Sequence, residues 1–243
     1  NSLFLAKIEL RLMHIKQHIP NFFTLLNAAC GLLCIIGVVE SWNIYYILAL
    51  FVAANLLDFL DGFLARALKV SSSLGGELDS LSDAISFVTF PSFLIYQMLL
   101  GSEYHLQYVA LFCIMMGVLR LGRFNVSDSH IPGFFKGLPT PAFAMFVVAI
   151  YVCYHFDLLG SINSLMLAAL FFLLALLTNS NYPFLNFKAK SFEFKYLAPR
   201  LLLFTLPLVL LLHANALGVV IIIILYRLIS LITYKQEYKK STP

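Results

Sequence analysis

About eight apolar stretches, each near the length a bilayer requires, leave this chain few ways to fold. They run approximately over residues 22–40, 44–65, 79–99, 106–122, 139–155, 162–178, 198–213 and 216–233. A backbone facing lipid must satisfy its own hydrogen bonds, and segments of this length do so as helices. The expected fold class is therefore all-α, a polytopic transmembrane helical bundle of about eight spans. Composition agrees: 61% of residues are hydrophobic and 12% charged, where soluble domains hold about twice that charge. No fixed-period repeat is visible. One transmembrane domain is expected over 20–234, after an amphipathic juxtamembrane segment (1–19) and before a basic cytoplasmic tail (235–243).

The charges set an orientation. With an even number of spans both termini share a side. All 16 Lys and Arg fall in the segments on that side or toward that end of a span, and the opposite loops, around Glu40, Glu103, Asp157 and His213, hold none. The positive-inside rule then makes both termini cytoplasmic. Lys7, Arg11 and Lys16 among Leu and Ile suit a helix on an anionic lipid surface. The aromatics and lysines of 179–197 suit the headgroup level and not a nucleic acid. Cys30, Cys34, Cys113 and Cys153 lie inside apolar stretches with no paired spacing, as small buried hydrophobes do.

Against this background the stretch from Asp58 to Asp83 stands apart. It places four carboxylates, Asp58, Asp61, Asp79 and Asp83, at the borders of apolar segments. Ionisable groups at membrane depth are costly and mark function by default. Asp58 and Asp61 are three residues apart and Asp79 and Asp83 four, so each pair shares a helix face. Two such helices meeting at their ends gather oxygen ligands that suit Mg²⁺ or Mn²⁺ and not zinc. Gly62 and Ala65 leave room for a bulky ligand, and Arg66 offers a planar cation to phosphate. A cluster of acids merely solvated at the membrane surface is the simpler alternative. A cation or proton transporter is another, although transporters favour repeats and midplane sites.

The pattern D-x2-D-G-x2-A-R-x8-G-x3-D-x3-D is met at Asp58, Asp61, Gly62, Ala65, Arg66, Gly75, Asp79 and Asp83. It resembles the signature of the CDP-alcohol phosphotransferases. Within that family, Pro20-Asn21-Phe22-Phe23-Thr24-Leu25-Leu26-Asn27, Arg120-Leu121-Gly122-Arg123-Phe124-Asn125 and Phe135-Lys136-Gly137-Leu138-Pro139-Thr140-Pro141 are similar to the branch that acts on serine. The resemblance covers about residues 16 to 140. It implies the family's fold and an integral protein of a bacterial or archaeal cell membrane, with its site facing the cytoplasm. It also implies transfer of a phosphatidyl group from CDP-diacylglycerol to L-serine with release of CMP, and membrane lipid as surroundings.

From the same resemblance come expected roles. The four aspartates hold Mg²⁺ or Mn²⁺, two ions being expected, and Asp83 also serves as general base. Asn21, Thr24, Gly62, Arg66, Ser72 and Gly75 bind the CDP-diacylglycerol. Position beside the site, and not the resemblance, nominates Arg120, Arg123 and Lys136 for the serine carboxylate and Asn125 for the amine. The family is commonly dimeric, so a homodimer is expected. Glycerol 3-phosphate or an inositol phosphate is the competing acceptor, although a phosphorylated alcohol wants a denser arginine cluster.

Overall fold

A computed structural model describes residues 2–70, 72–126, 134–160, 162–185 and 230–231. The side chains of 2–15, Gln17, Phe134, Phe135, Pro183 and Leu185 lie outside that description. So do the expected spans 198–213 and 216–233 apart from Ser230 and Leu231, together with the tail and most of the 179–197 loop. The elements are helices α1 (Ser2–Val39), α2 (Ile44–Ala67) and α3 (Ser73–Asp83), a π-helical segment (Ala84–Thr89), and α4 (Phe90–Leu99). A 3₁₀ segment (Glu103–Tyr108) and α5 (Val109–Val126) follow, then a short strand β1 (Phe134–Lys136), α6 (Thr140–His155), α7 (Ser164–Thr178) and strand β2 (Pro183–Leu185).

Among the described residues, four helical stretches are long and apolar enough to cross a membrane: His18–Val39, Ile44–Ala67, Ser73–Leu99 and Glu103–Val126. Thr140–His155 and Ser164–Thr178 are shorter apolar helices. These six match the first six expected stretches in order. The first helix differs at its start, because helix runs unbroken from Ser2 through Pro20. Proline brings no N–H to the helix interior, so the carbonyl of Lys16 loses its usual donor four residues on.

The chain divides into two compact units, residues 1–90 and 91–243. In the first, α1 and α2 form an antiparallel pair joined at residues 40–43. Buried positions on α1 fall at Pro20, Asn21, Thr24, Asn27, Gly31, Cys34 and Gly37, and on α2 at Ile44, Ile47, Phe51, Ala54, Asn55 and Asp61. Steps of three and four are those of one helix face. The remaining faces present large apolar side chains outward, among them Phe22, Leu25, Leu32, Val52 and Leu56, as helices in lipid do.

The π segment packs on α1. Gly31 makes this contact close: a Cβ there would meet the Ser86 side chain and lie 2.7 Å from the Ser86 Cα. The Thr89 hydroxyl donates to the Ala84 carbonyl at 2.8 Å, spanning the wide turn. π turns inside helices occur mostly at functional sites, and this one begins directly after Asp83.

In the second unit, α5 and α7 meet along Phe112 and Phe172, stacked 4.4 Å between centroids, and the Asn179 amide donates to the Met116 carbonyl at 2.7 Å. β1 and β2 pair antiparallel, with Phe134 opposite Leu185 and Lys136 opposite Pro183. Gly137 then turns with φ of +77°, and a Cβ there would run into the Thr178 carbonyl. That carbonyl leaves only glycine for the turn. The Gly137 and Leu138 N–H groups donate to Tyr182 and Leu177, which fixes the chain entering α6.

Candidate active site

The site grows from the carboxyl end of α2 and from α3. A helix brings residues three apart onto one side, so Asp58 and Asp61 project together, and α3 supplies Asp79. One oxygen from each of these three carboxylates lies within 4.8 Å of the others. Asp61 is buried, and Asp58 and Asp79 are half-buried. Asp83 is half-buried too and stands outside this group of three.

Three carboxylates so close repel one another strongly at low dielectric. The three offer oxygen donors, one Asp79 oxygen is buried with no hydrogen-bond partner, and among the described residues no thiol or imidazole joins them. That donor set fits a hard divalent cation.

The amino-terminal half of the α1 stripe holds the cluster from the side. The Thr24 hydroxyl lies 2.7 Å from Asp61 Oδ2, to which it donates, and it also approaches the Pro20 carbonyl at 3.1 Å. Thr24 is itself held, because the Ser82 hydroxyl donates to its carbonyl at 2.8 Å. One turn further, the Ser86 hydroxyl donates to the Asn27 carbonyl at 2.9 Å. Thus α1 is clipped to α3 and the π segment by two serine hydroxyls four residues apart, with Asp83 between them.

Ser72 caps α3, its oxygen accepting from the Gly75 N–H at 2.9 Å. A Cβ on Gly75 would lie 3.0 Å from both Asn21 Oδ1 and Ser72 Oγ, so Asn21, Ser72 and Gly75 converge at the amino end of α3. Free N–H groups and the helix dipole make such an end attractive to phosphate. Gly62 lies one turn before Arg66, whose guanidinium is exposed near the end of α2.

The residues expected to take the acceptor belong to the second unit. Arg120 is buried on α5, with its Nη1 3.5 Å from the Thr140 hydroxyl at the start of α6. Arg123 and Asn125 are exposed in the last turns of α5, and Lys136 is exposed on β1. The structure thus brings Arg120 to the head of α6 and leaves the other three on the unit's surface.

Among the described residues of the first unit, the sequence assigns no role to four buried polar ones: Asn27, Asn55, Ser82 and Ser86. A signal for two of them was present. Asn21, Thr24 and Asn27 step by three along α1, as Asn55, Asp58 and Asp61 do along α2. Elsewhere in the first unit an apolar pocket of about 670 Å³ is lined by Trp42, Asn43, Tyr46, Ala49 and Leu50. It sits at the opposite end of the α1–α2 pair, and its lining holds no carboxylate or cation.

Helices long and apolar enough to cross a membrane, carrying a tight group of carboxylates, point to an integral membrane protein with an acidic centre. Comparison with known proteins is specific. A family model described as CDP-alcohol phosphatidyltransferase matches residues 17–179, and the chain belongs to that family. It is 35% identical over 143 residues to the CDP-diacylglycerol–serine O-phosphatidyltransferase of Bacillus subtilis (strain 168), covering 57% of this chain and 78% of that protein. It is 34% identical over 154 residues to the protein of the same name from Methanocaldococcus jannaschii, covering 63% and 69%. With the protein so named in Helicobacter pylori (strain 26695) it shares 36% identity over 183 residues, covering 72% and 75%.

Proposed function

We propose that this transferase moves the phosphatidyl group of CDP-diacylglycerol to the hydroxyl of L-serine, giving phosphatidylserine and CMP. The observation that carries the reading is the meeting of Asp58, Asp61 and Asp79 within 4.8 Å, in a chain of this family whose relatives are named for that reaction.

Asp58, Asp61 and Asp79, with Asp83 at the edge, hold Mg²⁺ or Mn²⁺, and two ions are the expected number. Bound there, divalent cations offset the diphosphate charge and the charge that develops on departing CMP. Arg66 and the amino end of α3, with Ser72 and Gly75, hold the phosphates. Asn21 and Thr24 complete that wall, and Gly62 leaves space for the nucleotide.

Asp83, one helical turn after Asp79, takes the proton of the serine hydroxyl, a poor nucleophile at neutral pH without a base. The hydroxyl oxygen bonds to the phosphorus that bears diacylglycerol as the bond from that phosphorus to the CMP oxygen breaks. Attack is direct and in line, since no Ser–His or Cys–His pair lies in the motif to form a covalent intermediate. Arg120, Arg123 and Lys136 receive the serine carboxylate, and Asn125 its amine. The bundle has eight spans, with both termini and the site at the cytoplasmic face, and it works as a homodimer.

The test is CMP release by the purified protein in lipid nanodiscs, with CDP-diacylglycerol and one alcohol at a time. Turnover with serine and not with glycerol 3-phosphate or an inositol phosphate is the expected result. The reverse pattern moves the chain to another branch of the family, and ion flux without CMP release removes it from this chemistry.

A further inference from the structure

The α1 stripe does not become apolar where the carboxylates end. Asn27 is fully buried, and neither its Nδ2 nor its Oδ1 has a hydrogen-bond partner. Across the helix pair Asn55, also buried, donates from Nδ2 to the Phe51 carbonyl at 2.8 Å and leaves its Oδ1 without a partner. Buried amides are nearly always paired, and an unpaired one calls for a reason.

Their level in the bundle follows from bonds already described. Thr24 is tied to Asp61. The helices run antiparallel, so one turn onward along α1, at Asn27, corresponds to one turn back along α2, at Asp58. The Asn27 carbonyl takes the hydroxyl of Ser86, three residues past Asp83. Asn27 and Asn55 therefore form a polar tier at and just beneath the level of Asp58.

The chemistry of that tier selects its guest. Two free carbonyl oxygens need donors, while the Asn27 NH₂ group needs an acceptor. A bare cation satisfies the oxygens and opposes the NH₂ group, and an anion does the reverse. Water does both, and buried water typically makes about three hydrogen bonds to otherwise unsatisfied groups.

We propose that Asn27 is a positioning residue: with Asn55 it binds buried water that joins α1 to α2 and steadies Asp58 from below. This rests on the reading of Asp58 as an ion ligand. It goes beyond that reading by assigning the Asn27–Asn55 tier a function in ion affinity. Partners that orient metal ligands are commonly worth about 10- to 100-fold in affinity.

The test is a Mn²⁺ titration of the full chain in nanodiscs without substrates, followed by electron paramagnetic resonance, with thermal melting in parallel. Asn27→Leu fills the tier with hydrocarbon and expels the water. It should weaken Mn²⁺ binding by about tenfold while still melting cooperatively, because hydrocarbon takes the place of the amide and its water. Wild-type Mn²⁺ affinity in Asn27→Leu overturns the proposal.

Should Asn27→Leu fail to fold, the near-isosteric pair Asn27→Val and Asn27→Thr carries the test. Thr retains a hydroxyl for water and should bind Mn²⁺ more tightly than Val, and equal affinities overturn the proposal. Serine plays no part in the titration, so a wrong acceptor assignment shows as lost serine turnover in the wild type and leaves these outcomes unchanged.

Discussion

The two halves of the α1–α2 contact are built from different materials. Toward the loop at 40–43 it is apolar: Cys34 faces Ile47, its thiol 3.5 Å from the Ile47 carbonyl, and Phe51 packs against Phe87 and Phe90 at 6.3 and 5.8 Å between centroids. Toward the other end the same faces carry Asn21, Thr24 and Asn27 against Asn55, Asp58 and Asp61. Lipid offers helices little hydrophobic drive to associate, so packing and hydrogen bonds hold them together. The apolar half supplies packing without unpaired groups. The polar half gives up some of that stability, at roughly 1–3 kcal/mol per unpaired buried group, and gains a place where charge can be handled. The difference teaches that one helix pair can serve as frame at one end and reagent holder at the other.

The comparison is most severely tested by chelation. Stripping divalent ions should abolish CMP release and leave the fold intact by circular dichroism, with Mg²⁺ or Mn²⁺ restoring turnover. Full activity in chelator breaks the account of the polar half. Next is Asp83→Asn, expected to lower turnover by about 10²–10⁴-fold and to weaken Mn²⁺ binding, with melting nearly unchanged. A variant that turns over normally takes the base role from Asp83.

Phe51→Ala addresses the apolar half. It should cost about 3 kcal/mol of stability, within the usual range for a buried phenylalanine, read from unfolding in detergent, while turnover per folded molecule stays near wild type. A change in Mn²⁺ affinity there would mean that the halves are not separable. The smallest effect belongs to Thr24→Val, which removes the donor to Asp61 and should weaken Mn²⁺ binding by about tenfold. Thr24→Ser should recover most of that loss, and equal affinity in all three would leave the bond to Asp61 without a role in ion binding.

Much of this arrangement was legible in the amino-acid order, because its signals are local. Apolar runs of bilayer length foretold six apolar helical stretches in order, although the first helix begins at Ser2, well before residue 22. The three- and four-residue spacings foretold that Asp58 would project with Asp61. The spacing also put Asp83 with Asp79 on α3, yet Asp83 stands outside the close group. Whether one helix's acids all reach another's depends on where the axes cross, and i+4 spacing does not encode that.

The pairing of Phe134–Lys136 with Pro183–Leu185 was not foreseen either. Three residues are too few to show a period, and the partner lies nearly fifty positions away. The π segment leaves no signature beyond Pro91 just after it. The Asn27–Asn55 tier was visible only as a polar stripe, since the sequence does not reveal which buried amides lack partners.

Gly31 has a consequence for how the family can vary. A Cβ there would lie 2.7 Å from the Ser86 Cα as well as against its side chain, so no rotamer change at Ser86 can absorb an added carbon. Diversification at this spot is close to all-or-nothing: glycine preserves the gauge between α1 and the turn that follows Asp83, and anything larger resets it. Selections for altered alcohol preference or inhibitor resistance should therefore find their gains on lipid-facing and loop positions, and recover Gly31 untouched.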